Sequence, residues 1–334
     1  SIEVIYDQII DDLTLASDLM PISRDAGRAD KVAAQSLLAK VYVTMASSAA
    51  SGRPEFSFVS DPESFYARAS EEAAKVVFDQ TEYGFEDALI QIYNVETRAD
   101  LNGKEHIFFI NFDRESASNE VIGSKTGLFF WPGAGVLGLT SGTCGTQLFT
   151  RDGRSVFNGF SVYQTLPGFL DTYEPNDRRR TELVVDSLFD AGGNLVWTPS
   201  FADAFQVPFS AKYLDFCSQE FTQTRPMVIR FSDILLIYAE GQGPTAAGYE
   251  AVNRIRQRAG LAALSPGLSA EDFRKAIIQE RAWELAFEGH RLYDTRRTNS
   301  VEEAFAAVGA ENLLIGTENL YFFPIPDLEI LLNQ

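Results

Sequence analysis

The sequence is poor in the residues that most often bind metals or form disulfides. The 334-residue chain has two cysteines, Cys144 and Cys217, and two histidines, His106 and His290. Two cysteines are too few for a disulfide framework, and neither lies in a C-x-x-C or Cys/His spacing. The sequence leaves open whether the two pair. We expect no metal and no cofactor, because a zinc site needs more nitrogen and sulfur ligands than these.

Long apolar runs and positive charge are also scarce. No run reaches the roughly 18 apolar residues that would indicate a transmembrane helix. The chain carries 28 Lys and Arg against 47 Asp and Glu, which gives a net charge of −19. Nucleic acids and anionic lipids attract clustered Lys and Arg, so we expect neither as a partner. A neutral ligand and a partner with a basic face both remain compatible with this charge.

Catalytic and phosphate-binding motifs are missing as well. The sequence contains no G-x-S-x-G elbow, and the glycine-rich stretch at 133–138 lacks the GK[ST] of a phosphate loop. The acids Asp171, Glu174 and Asp177 lack the glycine and bidentate glutamate of an EF-hand, and three arginines follow them. We therefore expect neither a calcium site there nor an enzyme.

The chain does contain clear helical patterns at its start. Apolar residues keep helical spacing over 2–20, 29–50 and 62–79, and Pro21 ends the first of these segments. Asp61 is placed as an N-cap, with Pro62 at the first helical position. Short consecutive helices with small residues at their contacts indicate an antiparallel helical-repeat scaffold.

The C-terminal segment 271–297 predicts one long helix, buried on a broad face. Glu284 and Glu288 lie one turn apart, as a general acid/base pair could. Arg281 and Arg291 flank them and favour the charged forms of both carboxylates, which is the opposite of what a general acid needs. We interpret the four as a structural ladder of charges. The main apolar stripe consists of Ile278, Ala282, Leu285, Gly289 and Leu292.

Between the helical blocks the sequence no longer follows a helical pattern. The residues 107–114 are typical of a strand, and 183–197 predicts a hairpin that turns at 191–194. The rest is rich in glycine, serine and aromatic residues, and such long loop regions are usually functional when they are ordered. We divide the chain into helices at 1–82, a loop-rich insertion at 83–226 that carries the candidate ligand-binding region, and C-terminal helices at 227–334.

Aromatic side chains of the insertion are the candidate ligand-binding residues. A flat ring can pack against the apolar face of a sugar while amides and carboxylates bind the hydroxyls. The alternative is that these rings fasten the insertion to the helical body, since large aromatics are mostly buried. Asn119 and Asn158 are candidate partners for hydroxyl groups. The predicted ligand-binding residues are, with Trp131 placed first, Trp131, Trp197, Phe130 and Tyr163.

Several stretches together resemble one family. The segment ERAWELAFEGHRLYDTRR at 280–297, with the tail YFFPIP at 321–326, is similar to the SusD/RagB family of outer-membrane nutrient-binding lipoproteins. The segments at 227–240, 253–260 and 170–180 match the same family in the same order, as do the opening helices. The resemblance implies a mainly α, tetratricopeptide-like helical-repeat scaffold with a loop-rich irregular insertion. It also implies scaffold roles for Arg230, Asp233 and Glu240.

The resemblance implies a function that fits the lack of catalytic motifs. Members of the SusD/RagB family are non-catalytic, cell-surface proteins that bind oligosaccharides and pass them to a SusC-like TonB-dependent transporter. They are held at the outer membrane by a lipid anchor, and we expect the anchor and signal peptide of this protein to lie outside the residues of this sequence. Two alternatives remain: peptide binding on the same scaffold, which suits the acidic charge, and a helical glycoside hydrolase. The hydrolase requires two carboxylates roughly 5 to 10 Å apart in an open cleft.

Overall fold

The structure, a computed structural model, describes most of the chain. No helix within the described residues is long and apolar enough to cross a membrane. Both cysteines, the glycine-rich stretch at 133–138, and the predicted hydroxyl partners Asn119 and Asn158 lie outside the described residues. The described residues are 1–93, 103–112, 129–131, 148–153, 156, 159–160, 162–201, 207–214, 224–314, 320–321, 323 and 326–332.

The three predicted N-terminal helices are confirmed. They are α1 (Ile2–Leu19), α2 (Lys31–Ala50) and α3 (Pro62–Phe78). Asp30 caps α2 by accepting from the Ala33 backbone N–H, and Asp61 caps α3 by accepting from Ser64. Each cap satisfies a backbone donor that the first helical turn leaves without a partner. The helix boundaries thus follow from residues immediately next to them.

The remaining helices follow the insertion, apart from one short helix inside it. That short helix is α4 (Arg178–Glu182). Short stretches of 3-10 helix occur at Pro54–Phe56, Leu89–Ile92, Pro167–Thr172 and Glu311–Leu314. The later α-helices are α5 (Phe231–Gln242), α6 (Ala246–Arg258), α7 (Ala270–Glu284), α8 (Arg291–Arg297), α9 (Val301–Ala306) and α10 (Asp327–Leu332).

One apolar core joins the N-terminal and C-terminal helices. α2 packs on α1, α3 and α5, while α5 also packs on α6 and α7. Small residues let α3 and α5 approach closely: Ala69 and Ala73 are fully buried, and a Cβ on Gly241 would lie 2.5 Å from the carbonyl oxygen of Tyr66. A side chain at Gly241 would therefore force the two helices apart. The core contains, among others, Leu235, Ile255, Phe273 and Ile277.

Two predictions about helical faces are wrong. The single helix expected over 271–297 is two helices, because the chain turns at 285–290 between α7 and α8. Phe287 has φ +67° and Gly289 has φ +82°, and both values lie in the left-handed region that a right-handed helix cannot contain. The predicted inward residue Leu292 is 41% exposed. Leu292 follows the turn, which rotates α8 out of the stripe that α7 begins.

The strands are short and occur in antiparallel pairs. β1 (His106–Phe109) pairs with β6 (Met227–Arg230), β2 (Val184–Val185) with β5 (Phe209–Ser210), and β3 (Leu188–Phe189) with β4 (Leu195–Trp197). The β1–β6 pair corrects the expectation that the helix begins at Met227. The predicted hairpin is confirmed, since β3 and β4 are joined through a turn in which Gly193 N–H donates to the Asp190 carbonyl at 3.0 Å. The insertion therefore contacts the helical body through strands as well as loops.

Candidate functional site

An exposed group of apolar side chains lies on the insertion. Phe160, Val162 and Tyr163 are 55%, 56% and 54% exposed. The Phe129 ring contacts two of them, with its centroid 5.9 Å from that of Tyr163 and 6.3 Å from that of Phe160. We call Phe129, Phe160, Val162 and Tyr163 the aromatic patch. Water contacts roughly half of each of its three outer side chains, so a ligand that covers them removes apolar surface from water.

The aromatic patch is held in place from below. The Tyr163 backbone N–H donates to the Phe129 carbonyl at 2.9 Å. The half-buried Phe130 ring lies 5.1 Å from Tyr163 and stacks on Tyr213 at 5.0 Å, with 13° between the ring planes. Phe130 also meets Phe287 edge to face at 5.7 Å. Such ring pairs stabilise by about 0.5–1.5 kcal/mol each beyond their buried area, so the base of the patch is well fixed.

Phe287 connects this base to the helical body. Its positive φ is unusual for a residue with a Cβ and has to be compensated by contacts. The Tyr213 hydroxyl donates to the Phe287 carbonyl at 2.9 Å, and the Phe287 ring packs against Phe169 with centroids 6.2 Å apart. Phe169 in turn meets Tyr173, which stacks on Trp283 of α7. Rings in contact thus run from the exposed patch to the end of α7.

The four predicted site residues differ in burial and in their contacts. Trp131 has no exposed surface and packs with Val156, Leu188 and Phe209, so the expectation that its face meets a ligand is corrected. Trp197 is half-buried against the same cluster, with its ring 6.1 Å from Phe209.

Phe130 and Tyr163 do come together, one as the support and the other as the exposed ring. Sequence reasoning missed Phe160 and Val162, although both precede Tyr163 in a loop where no helix or strand pattern accounts for them. It also missed Tyr213 and Phe287. These two take part only through contacts between segments far apart in the chain.

A buried network of charges lies behind the ring contacts. Arg230 donates to Glu284 at 2.8 Å, Glu105 at 3.0 Å and Glu288 at 2.8 Å. Lys212 binds Glu288 at 2.5 Å from the other side. Despite burial, Arg230 and Lys212 lower the pKa of Glu288 to about 2. Charged carboxylates fixed by cations are structural groups, as the sequence indicated.

The partners of these carboxylates differ from those expected. Arg281 contacts Asp233 at 2.8 Å and Asp294 at 2.9 Å instead of the neighbouring Glu284. Arg297 contacts Glu240, so Asp233 and Glu240 both have the scaffold role that the family resemblance implied. The pairs join different elements because the turn at 285–290 breaks the single helical face on which the predicted ladder depended. Each pair therefore fixes α5 or α8 against α7, or α8 against α5.

Glu280, Asp177 and Glu174 do not form an open catalytic pair either. Burial raises the pKa of Glu280, as a general acid would require, although Arg179 and Arg256 contact it at 2.6 and 3.0 Å. Glu280 is only 1% exposed, so no substrate reaches it. Asp177 binds Arg179, and Glu174 binds Arg256. No group of three or more acids, histidines or cysteines within the described ranges could hold a metal ion.

His290 gives the scaffold a measurable pH dependence. Burial lowers the pKa of His290 to about 4 from 6.5, and its ring faces Asp233, Lys40, Arg281 and Glu288. The unfolded chain therefore binds a proton at His290 between pH 6.5 and 4 that the folded chain does not, and stability falls as the pH falls through this window. A shift of this size corresponds to about 3 kcal/mol.

Urea unfolding of the wild type between pH 7 and 4 measures this loss. The His290→Gln variant should lose about 3 kcal/mol less than the wild type over the same range. Equal slopes for the two proteins would show that His290 does not cause the dependence. The stability that the carboxylates of the buried network contribute is lost at lower pH. For Glu288 this loss occurs between about pH 4.5 and pH 2.

Comparisons with known proteins agree with this architecture. The model of the SusD family matches residues 208–334. The SusD-like protein P2 of Formosa agariphila is 25% identical over 358 residues, which cover 99% of this chain and 63% of that protein. The SusD-like protein P25 of the same organism is 31% identical over 152 residues, 42% of this chain and 26% of that protein. The chain thus spans less than two thirds of the length of either relative.

Solved structures show the same fold over nearly the whole chain. A SusD homolog from Bacteroides thetaiotaomicron has a TM-score of 0.72 and 23% identity, covering 99% of this chain and 68% of that one. A laminarin-binding SusD-like protein has a TM-score of 0.70 and 23% identity, covering 98% and 67%. Surface glycan-binding protein A from Bacteroides thetaiotaomicron, in complex with laminarihexaose, has a TM-score of 0.70 and 18% identity, covering 98% and 68%.

These matches confirm the mainly α, tetratricopeptide-like fold, with the matched family segment covering β6 and the helices that follow it. They extend over the opening helices and the insertion as well, because one of the two relatives and the solved structures align with nearly the whole chain. Residues 208–334 thus match the SusD family, and the chain as a whole is similar to SusD-like proteins.

Proposed function

We propose that this protein captures oligosaccharides on the aromatic patch without cleaving them. The observation that carries the proposal is the exposed set of Phe160, Val162 and Tyr163 on a fixed base of rings. A sugar packs its C–H face on such a surface, and Gln164, exposed next to Tyr163, offers an amide to its hydroxyls. We expect micromolar affinity for a few sugar units, because each contact adds little beyond the cost of binding.

The family supports a glycan as the ligand. One similar structure is described as laminarin-binding and another holds laminarihexaose. These likenesses lie below 25% identity, so they support the ligand class and leave the choice of glycan to experiment. A basic peptide is the second candidate, because the net charge of −19 attracts cationic ligands more than neutral ones. A hydrolase has less support, since the buried acids we described are held by arginines.

A panel of polysaccharides, with laminarin first, tests the ligand class. In native affinity electrophoresis the wild type should be retarded by at least one glycan. The same glycan, incubated with the protein, should release no reducing ends. Release of reducing ends would contradict capture without cleavage. Retardation by none of the glycans, together with binding to a basic peptide library, would identify the ligand class as peptides instead of glycans.

Delivery to a partner is the second half of the proposal. We propose that the protein acts at the cell surface of the outer membrane and passes its ligand to a SusC-like TonB-dependent transporter, as the family resemblance implies. Tagged protein expressed in its native cells should co-purify with such a transporter from detergent-solubilised outer membranes. Recovery of the tagged protein from that fraction without a transporter would contradict this half and leave glycan capture standing.

A further inference from the structure

A cavity separate from the aromatic patch lies among the C-terminal helices. Its volume is about 360 Å³, and residues of the 3-10 helix Pro167–Thr172 and of α7, α8 and α9 line it. Phe169, Phe287 and Phe305 contribute rings to its walls, and most of the other lining residues are aliphatic. Cavities of roughly 300–1,000 Å³ with apolar walls and a few polar groups are typical of small-molecule sites.

One cation, Arg291, lines this cavity without a carboxylate partner. Its only hydrogen bond to the described residues runs from Nη1 to the Ile278 carbonyl at 3.4 Å, and none of their carboxylates lies within 4 Å of it. Within the described residues, each of the six buried arginines contacts at least one carboxylate. These are Arg179, Arg230, Arg256, Arg258, Arg281 and Arg297.

The nearby acids do not take the place of a partner. Asp294 already binds Arg281 at 2.9 Å and Arg297 at 3.0 Å. Glu303 lines a neighbouring cavity that Arg291 also borders, and it is not among the residues around this one. Burial accordingly lowers the pKa of Arg291 below its ordinary value. A guanidinium that has lost much of its water without gaining an anion is poised to bind one.

We propose that this cavity binds a small organic acid with an apolar body. The carboxylate meets the Arg291 guanidinium, Gln279 supplies an amide at the same wall, and an aryl or alkyl chain packs against Phe169 and Phe287. A sugar acid fits less well, because the rings and aliphatic side chains that form most of the lining offer its hydroxyls fewer hydrogen-bond partners than water does. This site goes beyond glycan capture, although two of its lining residues also serve the glycan site: Phe287 at the base of the aromatic patch and Gln164 beside Tyr163.

Titration calorimetry of the whole chain with 3-phenylpropionate tests the site. The acid should bind, and the neutral isostere 3-phenylpropan-1-ol should bind at least about tenfold more weakly, because it cannot form the charge-assisted pair. Arg291→Gln should reduce affinity for the acid by a similar factor. Arg254→Gln is the matched control, since Arg254 is a half-buried arginine on α6 that lies over the Phe85 ring at 5.5 Å, away from the cavity. It should bind like the wild type.

A second variant tests whether binding needs the open volume of the cavity as well as the charge of Arg291. Ala304→Phe fills the cavity and leaves Arg291 in place, so it should abolish binding of the acid while unfolding at a temperature close to that of the wild type. No binding of 3-phenylpropionate to the wild type would overturn the proposal. Equal affinity for the acid and the alcohol, unchanged binding by Arg291→Gln, or stronger binding of galacturonate would do the same. Each of these outcomes is independent of whether a glycan binds the aromatic patch.

Discussion

Replacing Arg230 with methionine should lower the free energy of unfolding by about 3–5 kcal/mol. The side chain is fully buried and joins carboxylates from three segments: Glu105 before β1, Glu284 at the end of α7, and Glu288 in the turn that follows. Methionine restores most of the volume and none of the charge, so it leaves buried carboxylates with fewer counterions. The cost arises from that uncompensated charge more than from lost packing.

Urea unfolding followed by circular dichroism measures this loss. The control is Arg178→Met. Arg178 and Glu182 both lie on α4 and form an ion pair whose side chains remain partly exposed to water. That variant should lose less than about 1 kcal/mol. A loss below 1 kcal/mol for Arg230→Met would contradict the structural role that we assign to the buried network.

The second large effect concerns the ligand. Tyr163→Ala should weaken binding of the retained glycan by about tenfold, because a half-exposed ring covered by a sugar contributes roughly 1–2 kcal/mol. Phe160→Ala should have a similar effect. The double variant should lose less than the product of the two, since both rings contact Phe129 and are not independent.

Phe78→Ala is the matched control for the patch. Phe78 is 57% exposed, like Tyr163, and lies at the end of α3 against Tyr238. Its removal should leave glycan affinity unchanged within about twofold. Calorimetric titration of all four variants, with melting temperatures to confirm folding, gives the comparison. Equal losses for Phe78→Ala and Tyr163→Ala would mean that the effect is not local to the aromatic patch.

The sequence predicted the parts of the fold that depend on local signals. Asp61 and Pro62 place the start of α3, and the glycines in the turn at 191–194 place the hairpin, because both signals act within a few residues. The turn after α7 escaped prediction. Only Gly289 indicates it, while the positive φ of Phe287 is imposed by contacts with Tyr213 and Phe169.

The aromatic site shows the same limit. Trp131 and Tyr163 both lie in loop-rich sequence, and nothing next to them separates a core residue from an exposed one. Trp131 is buried because Val156, Leu188 and Phe209 converge on it from distant parts of the chain. Tyr163 stays exposed because its supports, Phe129 and Phe130, leave one side of the ring in water. Which ring is exposed is thus a tertiary property.

Oxidative footprinting with and without the retained glycan tests glycan capture by the aromatic patch most directly. Hydroxyl radicals label exposed aromatic side chains, and mass spectrometry reads the labelling of each one. Labelling of Phe160 and Tyr163 should fall by at least about twofold when the glycan is bound, while labelling of the exposed Phe78 and Phe323 stays constant. Protection of other residues, with Phe160 and Tyr163 labelled as in the free protein, would contradict the account.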